Sequence, residues 1–242
     1  HFAAADTMHE LLRCEITGRT AVASVTERSD GDVHPERVGA EALRRRQVEL
    51  TGVPWVMADE VHGTDVVHVD DLGSGWSPLA AVGDVLLAEH SDVPIAVWAA
   101  DCAPVALFGA NGTSRVVAHA GWRGLAGGVL DVAVDALEST GTTVAAAVLG
   151  PCIHGCCNEF GLGDLDRVAS GVGAERGDVA STTAWGTRGL DIPAAVAAGL
   201  ARRGIALDRT GACTGCDRRF HSHRCGVEPE RHALVAWFEE TP

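Results

Sequence analysis

Apolar positions in this chain fall into many short runs rather than a few long periodic ones. Residues 19–27, RTAVASVTE, alternate as a half-buried strand does, and RSDGD behind them is a turn. Residues 35–51, PERVGAEALRRRQVELT, predict one amphipathic helix with an early proline and a stop at Gly52. VPWVMADEVHG (53–63) predicts a strand running into a turn, DVVHV (65–69) a second strand, and DLGSGWSP (71–78) a loop. Apolar runs follow at 84–89, 94–101 and 104–109, then SRVVAHA (114–120) and a helix from Trp122 to Glu138. TVAAAVLG (143–150) reads as a buried strand, 164–170 and 190–204 as helices, and HALVAWF (232–238) as a closing strand. An aspartate near the start of the 190–204 helix suits the helix dipole. The stretch 171–189 is the loosest and predicts a surface excursion.

Short strands interspersed with helices, without strict βαβ alternation, predict an α+β fold: one domain with a mixed sheet. No G-x-G-x-x-G follows a strand, so the sequence makes no case for a dinucleotide. Residues 1–7 precede Met8 and look like a tag remnant, so the domain is expected to span 8–242.

Composition narrows the chemistry. The 242 residues are 46% hydrophobic and 21% charged, as in a soluble globular protein. A net charge of −14 argues against nucleic acid and anionic membranes as partners. No run approaches the roughly 18 apolar residues of a membrane span, and no secretory signal is evident. The cytoplasm is therefore the expected compartment, with the eight cysteines as thiols or metal ligands rather than disulfides. All 19 basic residues are arginine and tyrosine is absent, which removes Schiff-base lysines, P-loop lysines and tyrosine acids.

Three segments share one context. DEVHGTD, WAADCAPV and VVAHAGWRG each end an apolar stretch on a ligand-type residue within two positions of a glycine or proline: His62, Cys102 and His119. Two histidines and a cysteine suit Zn²⁺, and three protein ligands leave a position for water or substrate. The spacing is not local, and each residue alone reads first as a turn histidine or an inert core thiol; the case rests on all three sharing one context. GPCIHGCCNEF (150–160) gathers Cys152, His154, Cys156, Cys157 and Glu159. CTGCDRRFHSHRC (213–225) opens with a C-x-x-C. A zinc ribbon needs two such pairs, and Cys156–Cys157 is not one. The Cys213/Cys216 region is therefore expected to hold free thiols, with a structural metal as the alternative. Arg28, Arg123 and Arg224 are candidates for an anionic ligand, because a guanidinium fork matches phosphate.

Taken together, EVHGTD, ADCAPV, HAGWRGL, GPCIHGCCNEF and CTGC…FHSHR, in this order, resemble the laccase-domain family of multicopper-polyphenol-oxidase-like proteins. This YfiH/YlmD family is now regarded as purine nucleoside phosphorylases. The resemblance runs from about Arg28 to Phe238. It implies mixed β-sheets sandwiched between helices and a single zinc on His62, Cys102 and His119. It further implies phosphorolysis of adenosine or inosine to free base and ribose 1-phosphate, with adenosine deamination and methylthioadenosine cleavage also ascribed to members. The sequence departs from the family pattern at Glu60 (commonly glutamine), Ala99 (threonine), His154 (glycine) and His223 (tyrosine).

On this reading purine nucleoside and phosphate are the partners, and a monomer is favoured. Asp101 and Glu159 are the carboxylates expected to relay protons, with Asp84 and Asp101 alternatively fixing histidine tautomers. Two other enzyme classes remain open: a cysteine hydrolase using Cys102 and His119, and a copper oxidase, which needs more ligands than the sequence assembles.

Overall fold

The computed structural model describes residues 8–71, 77, 79 and 81–240. Residues 1–7 and most of the 71–78 loop lie outside the described residues. The strands are β1 (His9–Ile16), β2 (Arg19–Val25), β3 (Val66–His68), β4 (Val85–Ala88), β5 (Ile95–Ala99), β6 (Ala103–Gly109), β7 (Arg115–Ala120), β8 (Val144–Leu149), β9 (Ala180–Thr182), β10 (Arg188–Leu190), β11 (Arg209–Thr210) and β12 (His232–Glu240). The helices are α1 (Pro35–Val38), α2 (Ala40–Thr51), α3 (Trp122–Gly127), α4 (Val129–Glu138), α5 (Leu162–Val172), α6 (Arg176–Val179), α7 (Ile192–Arg202) and α8 (His223–Gly226).

Two sheets stack between helices. One is a four-stranded antiparallel sheet in the order β1-β2-β12-β5. The other is a mixed six-stranded sheet, β11-β8-β6-β7-β4-β3, with parallel pairing at both edges. Side chains on alternate positions explain why its strands read as unbroken apolar runs: both faces are buried. Leu86, Ala106, Phe108, Val117 and Val148 face the four-stranded sheet, meeting Val97, Leu234, Ala236 and Phe238. Val85, Leu87, Val105, Leu107 and Leu149 face the other way, onto Leu130, Val134, Leu137, Val168 and Val196 of α4, α5 and α7. The outer face of the four-stranded sheet packs Val22, Val235 and Trp237 on Leu43 of α2, Trp55 and Met57. This is the single-domain α+β architecture expected, with sheets held between helices.

Departures from the expected elements have local causes. The 35–51 helix is split at Gly39 (φ 80°) and the 122–138 helix at Gly128 (φ 86°), backbone conformations that glycine adopts without steric cost. Residues 53–63 make only isolated bridges, Val56 to Ile95 and Asp59 to Val82. The 171–189 excursion is ordered as α6 and a two-stranded hairpin, β9-β10. Asp191 caps α7 by accepting from the Ala194 N–H at 3.0 Å, with Pro193 in the first turn.

Candidate metal centre

Sheet register carries the site. β6 and β7 pair with Ala103 opposite Ala120 and Pro104 opposite His119, so Cys102, just before β6, meets the end of β7. On the other side β7 pairs with β4, which begins one residue after Asp84. The loop bearing His62 leads into β3, the neighbour of β4. Three segments distant in sequence thus reach one end of one sheet, and the ligand-type atoms of His62, Cys102 and His119 all lie within 4.8 Å of one another. The two imidazoles stand edge to face, with centroids 4.8 Å apart.

Asp84 organises the trio. One carboxylate oxygen accepts from the backbone N–H of His62 (2.9 Å) and pairs with His119 Nδ1 (2.8 Å). The other accepts from the N–H groups of Val61 (3.2 Å) and Gly63 (2.7 Å). One buried side chain therefore holds the His62 loop and fixes the His119 tautomer, leaving Nε2 as the free ligand atom. Strained backbone marks both loops: His62 has φ 61° and Asp101, beside Cys102, has φ 93°. Gly121 is required by close approach, since a Cβ there would lie 2.8 Å from His62 Cδ2 and 3.1 Å from Cys102 Sγ.

Burial opposes ionisation of Cys102, but attraction to His119 and hydrogen bonds with both imidazoles overcome it and bring the thiol down to about 6. Burial likewise opposes the charged form of His119, and Glu60, Cys102 and Asp84 together push it well up. Burial raises Glu60 to about 8, against the pull of His119 and the Trp98 N–H. Glu60 Oε1 accepts that N–H at 2.8 Å, while Oε2 lies 3.7 Å from His119 Nδ1 with no hydrogen-bond partner. A half-buried thiol between an exposed and a buried imidazole is a donor set suited to a borderline-soft metal.

The trio opens into a cavity of about 710 Å³. Trp98, Trp122 and Phe160 give it aromatic walls, and Glu60, Arg224 and Arg231 contribute charge. The expected anion-binding arginines divide here. Arg224 lines the cavity. Arg28 instead donates to the carbonyls of Arg218 and Phe220 and pairs with Glu228. Arg123 lies over the Trp122 ring, 4.5 Å from its centroid. Arg231 lines the cavity and was not anticipated.

The expected proton-relay carboxylates are also placed apart. Asp101 lines the cavity, but its oxygens accept from Thr214 Oγ1 (2.7 Å), Ser222 Oγ (2.8 Å) and Arg224 N (2.6 Å). It pins the 214–224 segment, and among the described residues its carboxylate hydrogen-bonds no histidine. Glu159 lines a neighbouring cavity with Arg188 and Arg224, where it accepts from Trp185 and Thr187. Glu60, visible in sequence only as a departure from glutamine, is the carboxyl beside the trio.

The cysteines expected as free thiols, with a structural metal as the alternative, are in no disulfide, and Cys156 and Cys157 meet Cys213 and Cys216 in a second group able to hold a metal ion.

A family model described as multi-copper polyphenol oxidoreductase laccase matches residues 27–239. A Xylella fastidiosa protein named purine nucleoside phosphorylase is 33% identical over 83% of this chain and 79% of its own length. A Streptomyces coelicolor protein of the same name is 35% identical over 82% of this chain and 80% of its own. Among solved structures, a Neisseria meningitidis protein superposes with TM-score 0.79 at 26% identity, covering 97% of this chain and all of that one. YlmD from Geobacillus stearothermophilus superposes with TM-score 0.74 at 24% identity, covering 96% of this chain and all of that one, a likeness of fold.

Proposed function

Because the chain belongs to the multi-copper polyphenol oxidoreductase laccase family, we propose that it is a zinc-dependent purine nucleoside phosphorylase, acting on adenosine or inosine. One observation carries the reading: His62, Cys102 and His119 converge on a cavity of nucleoside size, walled by aromatic rings and supplied with Arg224 and Arg231. The curated relatives' shared name supports the same substrate class.

Phosphorolysis moves ribose from purine N9 to phosphate. A phosphate oxygen bonds C1′, the C1′–N9 bond breaks with its electron pair leaving on the purine, and a proton neutralises the departing base. Arg224 and Arg231 are the guanidinium groups that hold phosphate; Arg231 Nη1 donates to the carbonyls of Glu228 (3.2 Å) and Glu230 (2.9 Å), so it offers its other nitrogens. Trp122 and Phe160, ring centroids 5.5 Å apart, offer faces and edges for the base. The proton comes from the attacking phosphate; Glu60, where the family pattern commonly has glutamine, accepts the Trp98 N–H and leaves Oε2 unpartnered beside His119. Asp101 and Glu159 act through position: Asp101 sets the segment that carries Arg224, and Glu159 offers its backbone carbonyl to the Arg224 guanidinium at 3.3 Å. His62, Cys102 and His119 hold the zinc, which when bound supplies Lewis acidity at the cavity wall.

Adenosine deamination and methylthioadenosine cleavage belong to the same proposal. Incubating the purified protein with each nucleoside, with and without phosphate, and weighing the products separates them. Free base and ribose 1-phosphate formed only with phosphate support phosphorolysis. Inosine formed from adenosine without phosphate supports deamination. No turnover of any purine nucleoside contradicts the proposal.

A second reading rests on a specific observation. The lowered Cys102 thiol, hydrogen-bonded to His119 and backed by Asp84, also has the chain of contacts of a cysteine hydrolase. Full activity in chelator would favour it. Bound copper, visible absorbance and turnover of phenols would instead favour the oxidase named in the family description.

A further inference from the structure

Outside the cavity, the four thiols of Cys156, Cys157, Cys213 and Cys216 turn toward one point. Cys156 Sγ lies 3.7 Å from Cys157, 3.7 Å from Cys213 and 3.6 Å from Cys216, and Cys157 lies 3.4 Å from Cys216. All four sulfurs fall within 4.8 Å of one another. None is in a disulfide. Zinc–sulfur bonds of about 2.3 Å put the sulfurs of a tetrahedral site about 3.8 Å apart, so the observed separations are close to those of a four-thiolate cage.

The backbone is shaped to the same end. Cys213–Cys216 is a tight turn: Cys213 O accepts from Cys216 N (3.1 Å) and Asp217 N (2.8 Å). Gly215 fits because a Cβ there would lie 2.8 Å from Cys157 Cβ and 2.9 Å from Cys157 Sγ. The His154 N–H points at Cys213 Sγ, 3.3 Å away, the kind of donor that stabilises a thiolate. An isolated parallel bridge joins Cys152 to Cys213 and holds the two turns together. Four free thiols have only weak S–H···S hydrogen bonds to set against this construction.

We propose that Cys156, Cys157, Cys213 and Cys216 bind a structural zinc ion, distinct from the His62/Cys102/His119 group and coordinatively closed. Four thiolates leave no position for substrate, which is the mark of a structural rather than a catalytic site. Binding releases the thiol protons and clamps two turns. One continues into Asn158 and Phe160, the other through Thr214 to Ser222 and Arg224, and all but Thr214 and Ser222 line the cavity. The clamp therefore sets one wall of the cavity without touching the substrate.

Metal content of the wild-type protein, purified without chelator, tests this by elemental mass spectrometry. The expected content is about two zinc ions per chain, falling by one in Cys216→Ser. In Cys102→Ala one zinc is also lost, from the other group, so the two assignments fail independently. On the wild type, mercurial titration of thiols should release two zinc ions per chain, one with Cys102 and one with the four-thiol group, a readout that needs no variant to fold. Unchanged zinc content in a folded Cys216→Ser protein, four thiols that titrate without zinc release, or iron at the site would overturn the proposal.

Discussion

Asp84→Asn removes one atom's charge and tests the organisation of the centre. The carboxylate accepts from four donors, two on each oxygen. An asparagine has one acceptor oxygen, so either amide orientation turns an NH₂ group toward two donors. If the NH₂ faces Val61 N and Gly63 N, the His62 loop loses its anchor. If it faces His62 N and His119 Nδ1, His119 must accept at Nδ1 and protonate Nε2, the ligand atom. Each donor left unsatisfied costs up to about 1–3 kcal/mol, and one or two are left depending on the orientation, so the substitution is expected to cost about 1–6 kcal/mol. For a domain of this size each kcal/mol lowers Tm by about 2–4 °C, giving a fall of roughly 2–24 °C. Loss of an outer partner of a ligating histidine also weakens metal binding by about 10–100-fold. Calorimetry and competitive zinc titration measure both quantities. A Tm within 2 °C of wild type together with unchanged zinc affinity would refute the assigned role of Asp84.

Further outcomes follow from the same geometry. Gly121→Ala drives a methyl group onto His62 and Cys102 and should empty the centre while circular dichroism stays native; a metal-replete variant would contradict that. Arg224→Ala and Arg231→Ala should each raise the phosphate concentration at half-maximal rate. Arg28→Ala should leave that concentration unchanged and lower Tm, since its guanidinium holds the 218–220 carbonyls. Glu60→Gln restores the residue common in the family pattern and preserves the Trp98 N–H bond through its amide oxygen, so kcat and nucleoside KM should stay near wild type. A kcat lowered by about a hundredfold or more would instead make Glu60 the proton carrier.

Much of the fold was legible because the central strands of both sheets are buried on both faces. Strands β4 to β8 announce themselves as apolar runs bounded by Gly, Pro or Asp. β1 did not, because a bulge between Glu10 and Leu12 shifts its register and breaks the alternation. The 53–63 segment has a strand's composition but no continuous partner. The metal trio was legible as three similar contexts, though nothing local says that Cys102 and His119 meet across β6–β7. Arginine direction is a tertiary property: Arg28 and Arg123 carry the same local signals as Arg224, yet one is committed to carbonyls and the other lies over Trp122. The four-thiol group escaped the spacing argument because its second half is an adjacent pair, and tertiary pairing, β8 with β11 and then Cys152 with Cys213, brings the two turns into register.

Metal-stripped protein, repleted with zinc and assayed for ribose 1-phosphate release from adenosine and inosine, tests the central claim most directly. The account predicts that activity requires phosphate, returns with zinc in the wild type, and does not return in His62→Ala or His119→Ala proteins that remain folded. Phosphorolysis that persists without metal, or in either histidine variant, would contradict it.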